Sequence, residues 1–387
     1  MGLDSALALR CDWRRRPHDN SSHPLSLAVI ERAVNGHFVT CNRESGSVAS
    51  ALGAMYHRVR FLSRERGVVA GFRQVIKDLI ANVELVILDK PRVVKSALAA
   101  YLAGGHVLLE DVPGVAKTML VRALAVSSGC SFARIQCTPD LLPTDISGVS
   151  IYNQQTQQFE FRKGPIFSQV LVADEINRAT PRTQSALLEA MAEGQVSVDG
   201  HTYALKRPFA VFATQNPVEH EGTFPLPEAQ LDRFMMRLSV GYPNIMAELS
   251  ILEKTRLSHP VDALKPVTDA AMIERMQVSI REIYVHEKVR DYIVRLVHRT
   301  RDSTHLTLGG SPRASIMLFR AAQAYAAVEG RSYVIPDDIK ALVAPVLQHR
   351  LILNPESRLR RVTTESVLAD IMKEVAVPAG VASWKQG

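Results

Sequence analysis

Leu109-Glu110-Asp111-Val112-Pro113-Gly114-Val115-Ala116-Lys117-Thr118 follows a short apolar run and closes on a Lys-Thr pair. That ending is the one a phosphate-binding loop requires. Backbone N–H groups cradle phosphates, the lysine reaches the outer phosphates, and the hydroxyl ligates Mg²⁺. Two positions depart from the GxxxxGK[ST] pattern, because Asp111 and Ala116 stand where it has glycine. The loop suggests a nucleotide site, and other parts of the chain have to complete it.

Working outward, a strand at His106–Glu110 precedes the loop and a helix from about Lys117 to Ser127 follows it. Upstream, Ile76, Leu79, Ile80 and Val83, then Val93, Val94, Leu98, Tyr101 and Leu102, recur at helical spacing. Further strands are expected at Phe132–Gln136, Gln169–Ala173 and Phe209–Thr214. The last two are continuous apolar runs suited to a buried parallel sheet. Helical stretches alternate with them, which predicts an α/β fold with a doubly wound parallel sheet. Two hairpins interrupt it: Ile151–Tyr152 with Gln158–Arg162, and Gln195–Val198 with Tyr203–Lys206 around Asp199-Gly200. After Pro243 the strand pattern stops, and residues 244 to about 375 read as a smaller all-helical domain, including Val289–His298 and Ala314–Val328.

The 387 residues allow two or three domains and a sizeable core. No apolar run approaches the roughly 18 residues of a membrane span, and Arg14-Arg15-Arg16 follows the short N-terminal apolar stretch where a signal peptide has basic residues first. A cytoplasmic location is the expectation. Cys11, Cys41, Cys130 and Cys137 have no CxxC spacing and read as reduced, structural thiols. Residues 1 to about 67 show little periodicity and are expected to be a poorly ordered or non-native extension. Ten arginines against six acidic residues in positions 1–66 place +4 of the net +7 there. The remaining +3 is spread thinly, with no basic stripe to mark a nucleic-acid surface.

Val170-Leu171-Val172-Ala173-Asp174-Glu175 is an apolar strand ending in paired acids. Beside a phosphate loop, Asp174 would hold the Mg²⁺ shell and Glu175 would orient and polarise the attacking water. A solvated strand end is the plainer reading of the pair taken alone. Phe212-Ala213-Thr214-Gln215-Asn216-Pro217 ends a neighbouring strand in amides, where Asn216 could bond the water or the outer phosphate; alone it reads as an Asn-Pro turn. Leu231-Asp232-Arg233-Phe234 places one arginine beside an acid, by itself an ordinary surface ion pair.

Together these stretches resemble the MoxR family of AAA+ ATPases, the helix-2-insert clade related to magnesium chelatase motor subunits. The carrying segments are residues 104–118, Thr138-Pro139-Asp140-Leu141-Leu142-Pro143-Thr144-Asp145-Ile146-Ser147-Gly148, Ala173 to Ala179, Leu226 to Phe234, and Gly309-Gly310-Ser311-Pro312-Arg313-Ala314. The resemblance runs from about residue 72 to 360. It implies an AAA+ core over 72–243 and a helical lid over 244–375. It assigns nucleotide binding to Asp111, Val112, Pro113, Gly114, Val115, Ala116, Lys117, Thr118 and Met119, and the metal to Thr118 and Asp174. Lys117 and Thr118 match the Walker A pair, and Asp174 and Glu175 the Walker B pair. Asn216 matches sensor 1, Arg233 the arginine finger reaching a neighbouring subunit, and Arg313 sensor 2. The hairpins near 150–162 and 195–207 match inserts typical of the family.

The implied cofactors are ATP and Mg²⁺, and an arginine supplied in trans implies a homo-oligomer, by resemblance a hexameric ring. The implied activity is ATP hydrolysis driving chaperone-like remodelling of a protein client, alongside a partner with a von Willebrand factor A domain. Two other classes stay open on the residues: a nucleic-acid motor, for which no zinc ribbon or aromatic–basic interleaving is seen, and a scaffold that hydrolyses little. Three departures bear on the site. Asp111 must turn its carboxylate away from phosphate, Ala116 must adopt a glycine's backbone, and Asp89 in Ile87-Leu88-Asp89-Lys90 replaces a glycine usual beside the adenine.

Overall fold

A computed structural model describes residues 71–217, 222–256 and 259–378. The expectation for residues 1–67, like Cys11 and Cys41, lies outside them.

Helix α1 (71–84) and α2 (Pro91–Leu102) lead into β1 (Val107–Glu110), followed by α3 (Lys117–Ser127) and β2 (Phe132–Gln136). A short α4 (Pro143–Ser147) runs into the hairpin β3 (Gly148–Asn153) and β4 (Gln158–Lys163), and then comes β5 (Val170–Asp174). Helix α5 (Pro181–Glu193), the hairpin β6 (Gln195–Val198) and β7 (His201–Ala204), and β8 (Ala210–Gln215) follow. The core closes with α6 (Glu228–Leu231) and β9 (Met236–Leu238). Five parallel strands form one sheet in the order β2-β5-β8-β1-β9, the doubly wound arrangement the alternating pattern predicts.

The continuous apolar runs are explained by burial on both faces. Val107 and Leu109, with Val170, Val172 and Phe212, enter a cluster lined by α2 and α3. Leu108, Leu171, Ala173, Val211 and Ala213 enter a second cluster under α5. Alternate side chains of each strand go to opposite faces, so a strand with both faces covered cannot show a polar alternation. Strand β9 was not expected from the sequence. Its three residues, Met-Arg-Leu, are too short a run to declare a period.

Both hairpins form. The second turns on Asp199 and Gly200, both at positive φ (51° and 78°), so its return strand begins at His201, two residues earlier than the sequence pattern places it. Beyond the sheet come α7 (Ile245–Lys254), α8 (Ala270–Ile280), α9 (Glu287–Arg301), α10 (Pro312–Val328), α11 (Pro336–Leu347), α12 (Pro355–Leu359) and α13 (Thr364–Glu374). The lid is helical but not free of strands. Leu306–Leu308 (β10) pairs antiparallel with Ile352–Leu353 (β11), a ribbon too short to leave a strand signal. Helix α10 lies on α2, where Lys95 of α2 bonds Glu329 beyond the α10 end at 2.8 Å, and both helices feed the first core cluster. Among the described residues no helix is long and apolar enough to cross a membrane.

Candidate functional site

The tips of β1, β8 and β5, adjacent in the sheet, carry the loop, the amides and the acids side by side at their carboxyl ends, where open α/β sheets bind ligands. Lys117 opens α3 with no side-chain cap and no acid in the first turn. The first N–H groups of a helix have no intrahelical partner, and with the helix dipole they form an anion seat. Gly114 has a φ of 83°, and a Cβ added there would meet nothing within 4 Å. Ala116 has φ 59° and ψ 24°, the left-handed conformation that makes glycine usual here and that costs an alanine about 1–2 kcal/mol.

Asp111 turns away from the loop, as the resemblance requires. Its Oδ2 accepts from Ser239 Oγ at 2.8 Å and the Gly241 N–H at 2.6 Å, and its Oδ1 from the Val112 N–H at 2.8 Å. Burial pushes its carboxyl up, but those bonds more than offset it and hold it below the usual carboxylate range. Only its backbone carbonyl faces the site, accepting from Lys117 Nζ. Asp89 also has a positive φ, 61°. Aspartate is among the few side chains that enter this region readily, and its Oδ2 lies 3.4 Å from the Asn244 N–H.

Asp174, 5% exposed, is the hub. Thr118 Oγ1 lies 3.2 and 3.1 Å from its two oxygens, Thr214 Oγ1 donates to Oδ1 at 3.1 Å, and Arg134 Nε donates to Oδ2 at 2.6 Å. Glu175 is held left-handed at φ 56°, ψ 51°, an uncommon conformation for a side chain of its size and of the kind that collects at functional sites. Its N–H bonds Thr214 Oγ1 at 2.9 Å, and its Oε2 accepts from Gln136 Nε2 at 3.0 Å and Arg178 Nη1 at 3.1 Å. Burial, then the charges of Asp174 and Glu175, push the Cys137 thiol up to about 12. It stays protonated, as a structural thiol does. Cys130 is also free and buried.

Asn216 is buried one residue past β8, between the loop and the acids. Two expected residues lie elsewhere. Arg233 donates to the Leu188 carbonyl of α5 within its own chain. Arg313, half exposed at the start of α10, lies 3.7 Å from Asp232 Oδ2. Asp232 also takes Arg350 Nε at 2.7 Å, and the Arg350 side chain is 2% exposed. Arg350 donates further to the carbonyls of Phe234 (2.6 Å) and Asp232 (3.2 Å), and His349 Nε2 lies 3.1 Å from the Phe234 carbonyl. This joint ties the lid to the segment that carries Arg233. Sequence reasoning missed Arg134, Gln136, Arg178, Thr214 and Arg350. The period of two along β2 could have paired Arg134 with Gln136; a lone arginine after an apolar helix gives no sign that it is buried.

The donor set suits Mg²⁺. Thr118 and Asp174 converge through hydroxyl and carboxylate oxygens, the ligands of a hard cation. Among the described residues no group of three or more His, Cys, Asp or Glu could hold a metal. A nucleotide-borne Mg²⁺ needs none, since one or two carboxylates with phosphate and water oxygens suffice.

Comparison with known proteins agrees with this geometry. Residues 106–236 match the ATPase family associated with various cellular activities (AAA), and residues 298–371 match the AAA lid domain. The chain is 52% identical over 299 residues to the protein YeaC of Bacillus subtilis strain 168, covering 77% of this chain and 93% of that one. It is 42% identical over 321 residues to the chaperone MoxR1 of Mycobacterium tuberculosis, covering 81% and 85%. A crystal structure from Cytophaga hutchinsonii superposes with a TM-score of 0.77 at 38% identity, over 82% of this chain and 99% of that one.

Proposed function

This chain belongs to the MoxR family of AAA ATPases, and on that premise we propose that it hydrolyses ATP with Mg²⁺ to drive chaperone-like remodelling or activation of a protein partner. One observation carries the proposal: Lys117 and Thr118 after β1, Thr214 and Asn216 at β8, and Asp174 and Glu175 at β5 stand at three adjacent strand tips, with Asp174 bonded to both threonines.

In this reading the loop from Asp111 to Met119 surrounds the phosphates, the backbone N–H groups from Gly114 to the α3 N-terminus bind them, and Lys117 neutralises the outer ones. Thr118 and Asp174 hold the metal, which when bound offsets the charge that develops on the transferring phosphoryl group. Glu175 orients the attacking water and accepts its proton. The Thr214 hydroxyl couples the two acids, since it donates to Asp174 and accepts from the Glu175 backbone. Asn216 orients the water or outer phosphate from the strand tip between them.

We assign residues 72–243 to the motor core and 244–375 to the lid, with Arg313 reaching the nucleotide of its own subunit and Arg233 that of a neighbour. A ring then follows, because a finger given in trans makes turnover depend on assembly; its six subunits rest on the family resemblance. The chaperone name of the 42% relative supports a protein client. A von Willebrand factor A partner rests on the family resemblance alone, and a cytoplasmic site of action on the sequence expectation alone.

Glu175→Gln is the test. Turnover should fall by roughly 10²–10⁴-fold, the usual worth of a positioned general base, while ATP is still bound and the ring is stabilised. Unchanged hydrolysis in a phosphate-release assay removes Glu175 from its role. Failure of the wild-type protein to bind labelled ATP with Mg²⁺ removes the function.

A further inference from the structure

Arg134 is a cation that neither the loop motif nor the resemblance assigns. It lies two residues before Gln136 on β2, so the two side chains share a face of the strand. Nε donates to Asp174 Oδ2 at 2.6 Å and Nη2 to Gln136 Oε1 at 3.1 Å. Gln136 in turn donates to Glu175 at 3.0 Å. One side chain of an adjacent strand thus reaches Asp174 directly and Glu175 through one amide.

The two oxygens of Asp174 face protein donors on every side. Oδ1 meets Thr214 and Thr118, and Oδ2 meets Thr118 and Arg134. A divalent cation can take one of these oxygens only where a donor gives way. Thr214 is 3% exposed and fixed by its second bond, to the Glu175 N–H. Thr118 is itself a metal ligand in the reading above. Arg134 differs from both, being charged and 55% exposed, so it can swing into water at little cost.

We propose that Arg134 is a positioning residue that competes with the metal for Asp174: it holds the carboxylate in register as a counter-charge and yields Oδ2 when Mg²⁺ binds. The proposal rests on the nucleotide-site reading. Its consequence is a metal threshold set by an ion pair. Removing the guanidinium should therefore tighten metal binding, the opposite of what loss of a merely structural contact would do.

The experiment titrates Mn²⁺, read by electron paramagnetic resonance, into full-length protein saturated with ADP, with correction for Mn²⁺ held by free ADP. Arg134→Met should lower the apparent Kd for Mn²⁺ by roughly three- to fivefold, the upper part of the range of a half-exposed ion pair. Arg134→Lys, which keeps the charge, should stay within about twofold of wild type by the same scale. If Arg134→Met melts early by circular dichroism, Arg134→Gln replaces it with the same expected direction. An unchanged or weaker Kd in the charge-removed variant overturns the proposal alone, provided the wild type binds Mn²⁺. A wild type that binds no Mn²⁺ with ADP overturns the metal-site reading and the proposal together.

Discussion

Asp174 and Asp232 each stand beside arginine, and the two sites bury opposite partners. At Asp174 the anion is buried and its arginine, Arg134, is 55% exposed; at Asp232 the arginine is buried, Arg350 at 2%, and the anion is 26% exposed. An exposed partner can exchange with solvent or with a ligand. A buried arginine cannot leave without stranding charge or backbone acceptors in a dry interior. The first arrangement suits a site whose charge must change hands during turnover. The second suits a hinge pin, and it sits where the lid meets the segment carrying Arg233.

The strongest way to break this contrast is Arg350→Ala. Burial drags the Arg350 guanidinium down and the Asp232 charge opposes it, but an arginine stays charged in a protein. Removing it takes a donor from the Asp232 carbonyl, leaves the Phe234 carbonyl with His349 alone, and opens a cavity between α11 and β9. Chemical denaturation should show a loss of about 3–5 kcal/mol, as when one partner of a buried pair is deleted. A loss under about 1 kcal/mol, the usual worth of a surface pair, would mean that the joint is ordinary surface.

Acid probes the same buried class. Burial lowers the His106 pKa to about 4, with its bond to the Met191 carbonyl opposing. Burial and then the Arg350 charge hold His349 well below its ordinary value. Both are neutral when folded and take up a proton in the unfolded chain below about 6.5. Their contribution is therefore complete above pH 6.5 and is lost as pH falls towards the folded pKa, by about 3 kcal/mol for His106 alone. Urea midpoints measured from pH 7 to 4.5 should decline steadily through that window. A flat profile would show that both rings are charged or reach water in the native protein.

The same division between buried and exchangeable explains what could be read from the sequence. Strand β2 and helix α3 fall at the expected residues, and β1, β5 and β8 within one residue at either end, β5 and β8 because each is a continuous apolar run bounded by charge or amide. The loop, Asp174 and Glu175 were legible because phosphate chemistry demands particular residue types at fixed spacing. The partners of those residues were not. Arg134, Thr214 and Gln136 reach the acids across strands that neighbour in the sheet but are separated by about forty residues in the chain. Arg350 reaches Asp232 over 118. Pairing order is a tertiary property, and a lone polar side chain carries no mark of which strand tip it will face. The unexpected β10–β11 ribbon and β9 were hidden by length, since two or three residues cannot display a period.

Arg313 makes the finest cut, because it shares Asp232 with Arg350 but belongs to the exchangeable class. It lies 3.7 Å from Oδ2 and is 45% exposed, against 2.7 Å and 2% for Arg350. A half-exposed pair at that distance contributes under about 1 kcal/mol, so Arg313→Ala should shift the denaturation midpoint only slightly. In its proposed role its effect is expected at the nucleotide instead, since the arginine has only to let go of Asp232 to be available to a phosphate. Protection of the lid from protease by ATP should therefore be lost in Arg313→Ala while stability without nucleotide is kept. If the substitution instead destabilised the protein as much as Arg350→Ala, Asp232 would hold both arginines as one rigid unit. Neither would then be free to report on the nucleotide, and exposure would fail as the criterion that separates the two sites.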